Sequence, residues 1–144
     1  MEIAGTFWMI PEVRFVRDFR GHQAIAAKDM LQYQTAVANH ICAEDTELTL
    51  AEFELLCSLS GMTATDVAKT LHIDKSTVSK WRALNGEEEN REALKKKTIP
   101  YVYSKVLKLV VWDRIFADID RRSDAKKRRD WYSAKKHLPK IVAA

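Results

Sequence analysis

At 144 residues, with 47% apolar and 31% charged side chains, the chain has material for one domain with an appendage and carries too much charge for a membrane protein. Lys108 interrupts the apolar run Val106 to Val111 and Asp113 closes it, so no stretch approaches the roughly 18 residues of a membrane span. The net charge of +4 divides unevenly, with 8 Lys/Arg against 14 Asp/Glu (−6) in residues 1–90 and 16 against 6 (+10) in residues 91–144, which points to a polyanion partner or a charged tail.

Residues 1–47 form an N-terminal segment to which the sequence assigns no role. Glu2 follows Met1 and no basic flank lies ahead of an apolar stretch, so no secretory signal is expected. Phe7-Trp8-Met9-Ile10 and the alternation of Val13, Phe15, Arg17 and Phe19 predict one or two short strands, punctuated by Pro11 and Gly21. From Ala26 to Ile41 the spacing of Met30, Tyr33, Val37 and Ile41 predicts a helix. Cys42 and Cys57 read as two thiols in a reducing cytosol rather than a disulfide.

Local signals sharpen at Thr49, which can cap a helix with Glu52 three residues on, the capping-box arrangement. Leu50, Phe53, Leu56, Cys57 and Ser60 share one face of that helix, and Gly61 ends it. Thr63 and Asp66 repeat the box for a second, shorter helix that turns Val67, Ala68 and Leu71 inward. Asp74 is placed to cap a third, with Val78 and Trp81 toward the core. The tight turn around His72 separates them. Two short helices so joined can push the second one into the major groove of DNA. That second helix presents Lys75, Ser76, Thr77, Ser79 and Lys80. Lysine can donate to guanine O6 and N7, and a hydroxyl can bond a base edge or a phosphate.

The residues Gly61-Met62-Thr63, Asp66-Val67-Ala68, Leu71-His72-Ile73 and Ser76-Thr77-Val78-Ser79-Lys80-Trp81 resemble the DNA-binding motif of the Xre/Cro-type helix-turn-helix repressor family. The lead-in Leu48 to Phe53 is similar to that of bacterial antitoxins and phage regulators. Ala64 stands where the family often has Gln, and Arg82 where a Glu commonly follows the tryptophan. The resemblance implies a DNA-reading unit over residues 48–86; the candidate DNA contacts of this chain are Thr63, Thr65, Lys75, Ser76, Thr77, Ser79, Lys80 and Arg82. Antitoxins with a similar lead-in carry paired cysteines for zinc; residues 1–47 have no such pairs, and no metal is expected.

Asn85-Gly86 is followed by a polar stretch, Glu87 to Lys97, and Pro100 opens a long helix predicted from Tyr101 to about Asp120. Val102, Val106, Leu109, Val110, Phe116 and Ile119 lie on one side of it, and Leu107, Val111 and Ile115 on another. That apolar surface is broader than one neighbour needs, and its spare side is expected to form a two-fold interface. Residues 87–120 are thus linker and packing helix. Residues 121–144 are a basic helix or tail, with Arg121-Arg122, Lys126 to Arg129 and Lys135-Lys136 around Trp131-Tyr132.

The expected fold class is mainly α: a helix-turn-helix domain, a long C-terminal helix and a short N-terminal segment open to an α+β reading. The expected function is a cytoplasmic transcriptional regulator of double-stranded DNA, a repressor acting as a homodimer on a palindromic operator. Two alternatives are an antitoxin-like module binding a partner protein such as a toxin, and a single-strand or RNA binder using the basic C-terminal segment. The four histidines, His22, His40, His72 and His137, have no ligand-like spacing, and no nucleophile elbow, glycine-rich phosphate loop or acid/base pair stands out. No enzyme, cofactor or membrane partner is expected.

Overall fold

The computed structural model describes residues 1–10, 13, 15–83, 97–121 and 142–143, and for residues 83, 116–121 and 142–143 the backbone alone. The protein is mainly α, with short strands at its N-terminal end. In chain order the elements are β1 (Glu2–Ile3), β2 (Thr6–Met9), β3 (Phe15–Arg17), β4 (Gln23–Ile25), α1 (Ala27–Ala43), α2 (Leu50–Ser60), α3 (Ala64–Leu71), α4 (Lys75–Ala83), α5 (Tyr101–Arg121) and β5 (Val142–Ala143). The polar stretch 87–96, Asn85-Gly86 and the basic segment 122–141 lie outside the described residues.

The strands follow from turn chemistry. Ile3 pairs with Thr6 across a two-residue turn in which Ala4 and Gly5 both have positive φ (53° and 82°), the geometry that matches strand twist. β5 joins the other edge of β2, pairing Trp8 with Ala143 and Met9 with Val142. Trp8 is buried, and its indole N–H donates to the Ile3 carbonyl at 3.1 Å. β3 and β4 form a separate hairpin with Phe15 opposite Ile25 and Arg17 opposite Gln23. The alternation that signals β3 does not give a buried face: Phe15 is 59% and Phe19 92% exposed.

The helices enclose the core. α1 turns Tyr33, Val37 and Ile41 inward, as their spacing predicts. Thr49 caps α2 with the full reciprocal box: its hydroxyl accepts from the Glu52 N–H at 3.1 Å, and its own N–H donates to Glu52 Oε1 at 3.0 Å. At the other end Gly61 takes φ 68°, a left-handed cap from which Met62 N–H reaches the Cys57 carbonyl at 3.1 Å. Leu50, Phe53, Leu56 and Cys57 are buried on the face between. Both cysteines are free, and burial pushes the Cys42 thiol up to about 11 and the Cys57 thiol to about 12, so neither is an activated nucleophile near neutral pH.

α5 shows which of its apolar sides is the inner one. Leu107 and Val111 are buried with Ser104 and Lys108, whereas Val102 (68%), Val106 and Leu109 (67%) face outward. The side chains of Phe116 and Ile119 lie outside the described residues. Two polar residues hold this orientation. Ser104 Oγ accepts from the Leu48 N–H at 2.9 Å and donates to the Ile99 carbonyl at 3.0 Å. Lys108 Nζ donates to the carbonyls of Glu44 at 2.7 Å and Thr46 at 2.5 Å. A short bridge of Thr49 to Thr98 lays residues 48–50 beside 97–99, with Ile99 N–H donating to the Leu48 carbonyl at 2.8 Å. Thus α5 packs on α1, α2 and α3, and α4 packs mainly on α3 and α2.

Candidate functional site

The unit α3–turn–α4 is assembled by local chemistry first. Thr63 caps α3: its hydroxyl accepts from the Asp66 N–H at 3.2 Å, and its N–H donates to Asp66 Oδ2 at 2.9 Å. That backbone N–H, then the Thr63 hydroxyl, hold the Asp66 carboxyl below its usual range, with Arg114 and Lys69 adding charge. α3 ends on His72, a left-handed residue at φ 55°, ψ 45°, and Ile73 N–H returns to the Ala68 carbonyl at 3.1 Å. Left-handed backbone costs an L-residue about 1–2 kcal/mol, less for His than for a β-branched side chain. His72→Gly is therefore expected to raise the unfolding free energy by about 0.5–1 kcal/mol, after the looser unfolded chain is allowed for. Urea denaturation reads this directly, and a loss of stability would show that His72 makes a contribution its backbone does not suggest.

The angle of α4 is then set by packing. Val67 and Val78 are fully buried and Ala68 and Leu71 nearly so. Each fully buried valine contributes about 1.5–3 kcal/mol relative to exposure, enough to fix one arrangement of the two helices. Trp81 lies edge-on to Phe53 of α2 (centroids 5.6 Å apart, planes at 82°) and tilted against Tyr103 of α5 at 6.3 Å. It is a packing residue, not a free stacking platform. Asp74 contributes its carbonyl, which accepts from Thr77 N–H at 3.1 Å, and not the carboxylate cap that its position predicts.

With Val78 and Trp81 inward, helical geometry brings Lys75, Ser76, Ser79 and Lys80 onto the opposite face. All four are exposed. None of their side chains has a partner among the described residues. Thr77 is half-buried beside this face. Thr63 is exposed at the start of α3, but its hydroxyl is engaged with Asp66 in the capping box. Thr65, in the first turn of α3, is half-buried. Arg82 differs from the rest: its Nε donates to Glu54 Oε2 of α2 at 3.4 Å, and both side chains are about one-third exposed. The pair pins the last turn of α4 to α2. Nothing in the sequence flags Glu54 as that partner, because 28 residues separate the two.

Among the described residues no group of His, Cys, Asp and Glu could hold a metal ion, and no helix is long and apolar enough to cross a membrane. No protein-family model matches the chain, and neither the curated proteins nor the solved structures give a match.

Proposed function

We propose that the chain is a cytoplasmic, sequence-specific regulator that binds double-stranded DNA as a homodimer and represses transcription by covering a palindromic promoter site. The observation that carries this reading is the face of α4. Two lysines and two serines stand outward on a helix whose inner side is fixed by Val78 and Trp81, and no carboxylate neutralises them among the described residues. Unpaired lysines on a rigid helix suit guanine O6 and N7 or phosphate oxygens, and the serines suit either. The N–H groups at the start of α3, beside Thr63 and Thr65, suit a phosphate. The resemblance of residues 61–81 to the Xre/Cro-type motif supports the same use of these positions.

A single recognition helix reads only a few base pairs, so a palindromic site calls for two copies. The outward stripe Val102, Val106 and Leu109 on α5 supplies an apolar surface suited to that purpose. Leu109→Glu is expected to convert a dimer to a monomer in sedimentation equilibrium, and to weaken binding to a two-half-site duplex while leaving a half-site duplex unaffected. A monomeric wild-type protein would remove the two-fold part of the reading. The DNA part is tested by footprinting the region upstream of the protein's own reading frame, together with selection from a randomised duplex library, for the wild type and for Lys75→Ala and Lys80→Ala. The expected result is a palindrome protected by the wild type and left unprotected by the variants. Absence of any selected duplex overturns the proposal.

A further inference from the structure

The β3–β4 hairpin has a surface that the fold leaves unused. Among the described residues its ladder joins only its own two strands, and Phe15 (59%), Val16 (46%) and Phe19 (92%) are exposed on it. Two-stranded hairpins are marginal in water without a covering surface. The turn of this one is nevertheless built. Asp18 Oδ1 accepts from the N–H groups of Arg20 and His22, both at 2.9 Å, and Gly21 takes φ 79° with its N–H on the Asp18 carbonyl at 3.0 Å. The only acidic side chain in the hairpin is therefore committed to the turn's own backbone. Arg17 is exposed with no partner among the described residues. The Arg20 guanidinium lies 5.3 Å from the Phe19 ring centroid, so a cation and an apolar wedge are presented together at the tip.

We infer that this hairpin is a second DNA contact, an arm whose Phe19 wedges between base steps from the minor groove while Arg17 and Arg20 hold the flanking backbone. The inference rests on the duplex-binding reading above but uses a different element. Charge decides the occupant. Arg17 and Arg20 outnumber the one carboxylate of the hairpin, which the turn backbone occupies, so the exposed rings of Phe15 and Phe19 sit beside net positive charge, which suits a polyanion. Apolar wedges accompanied by arginine are the chemistry that opens and reads a minor groove, whose narrow stretches attract guanidinium groups.

The test uses the full chain and the duplex that the wild type recovers from a randomised library. Phe19→Ala is expected to weaken Kd about tenfold, with Phe19→Leu retaining most of the affinity because it keeps a wedge. Arg17→Ala/Arg20→Ala is expected to flatten the slope of log Kd against log salt by about 2 for each copy bound. Both variants should lose hydroxyl-radical protection outside the segment guarded by α4. The substituted side chains are exposed, so near-UV circular dichroism should be unchanged. Unaltered affinity, slope and footprint, with binding still abolished in Lys75→Ala/Lys80→Ala, would overturn the arm and leave the α4 reading standing. The reverse pattern would keep the arm and remove α4. Failure to recover any duplex would overturn both. If Phe19→Ala frees the protein from phosphatidylserine vesicles but leaves the duplex bound, a lipid surface is the occupant and the proposal falls.

Discussion

Lys75→Ala/Lys80→Ala is expected to weaken binding to the selected duplex by at least about a hundredfold, since each lysine on a base edge is worth about 1–3 kcal/mol and a dimer carries each of them twice. The two lysines are exposed on the outer face of α4 and have no intramolecular partner among the described residues, so their removal leaves no orphaned charge behind. The unfolding free energy should therefore stay within about 0.5 kcal/mol of the wild type. The manner of the weakening separates two roles. If the lysines read bases, the preference for the selected over a scrambled duplex disappears. If they hold phosphates, binding weakens equally on both duplexes, and the salt slope falls by about 0.9 for each phosphate no longer neutralised. Arg82→Ala makes a useful contrast: the Glu54 pair occupies this side chain at 3.4 Å, so part of its effect should appear as a looser α4 in hydrogen exchange. Equal affinity of the double variant and the wild type for the selected duplex would end the recognition-helix reading.

The parts of the fold that the sequence specifies legibly are those made by neighbours three or four residues apart. Thr49 with Glu52 and Thr63 with Asp66 each need only one helical turn to satisfy each other, and both boxes form. Gly61 and His72 end helices because single residues can take left-handed backbone there. The face of α4 follows from Val78 and Trp81 in the same way. Where the answer depends on distant chain, the pattern is silent. Val13, Phe15, Arg17 and Phe19 alternate as a half-buried strand should, but nothing in them records whether another element arrives to cover the face, and Phe15 and Phe19 stay exposed. The two apolar sides of α5 are nearly equivalent as sequence. Ser104 and Lys108 choose between them, and both look like polar interruptions until residues 44–48 supply their partners. Arg82 reads as one more cation on a DNA-facing helix until Glu54, from α2, takes it up.

Lys108→Met is expected to lower the unfolding free energy by about 2–4 kcal/mol, a large effect for a lysine on a helix that carries an exposed apolar stripe. The residue is 6% exposed. Its ammonium donates to the carbonyls of Glu44 at 2.7 Å and Thr46 at 2.5 Å, with the Thr46 hydroxyl at 3.5 Å, so three donors meet three acceptors. The acceptors lie just past the C-terminal end of α1, where the helix dipole favours a cation. Methionine keeps most of the stem's volume, so the change isolates the charged group. Two opposing terms decide its size. Each hydrogen bond from a charged donor is worth about 1.5–3 kcal/mol, and the freed carbonyls are left without a donor. Against this, burying the ammonium costs several kcal/mol that methionine recovers. Because each of the three ammonium donors has an acceptor, the bonds should win. Lys105→Met, exposed on the same helix, is the control and should change stability by no more than about 0.5 kcal/mol. Urea unfolding of the two variants checks the difference, and a Lys108→Met protein as stable as the wild type would show that desolvation outweighs the anchor. The joint ties α1 to α5 and includes no residue of α4. Folded Lys108→Met should accordingly bind the selected duplex with wild-type affinity, so that a stability lesion and a recognition lesion can be told apart in the same protein.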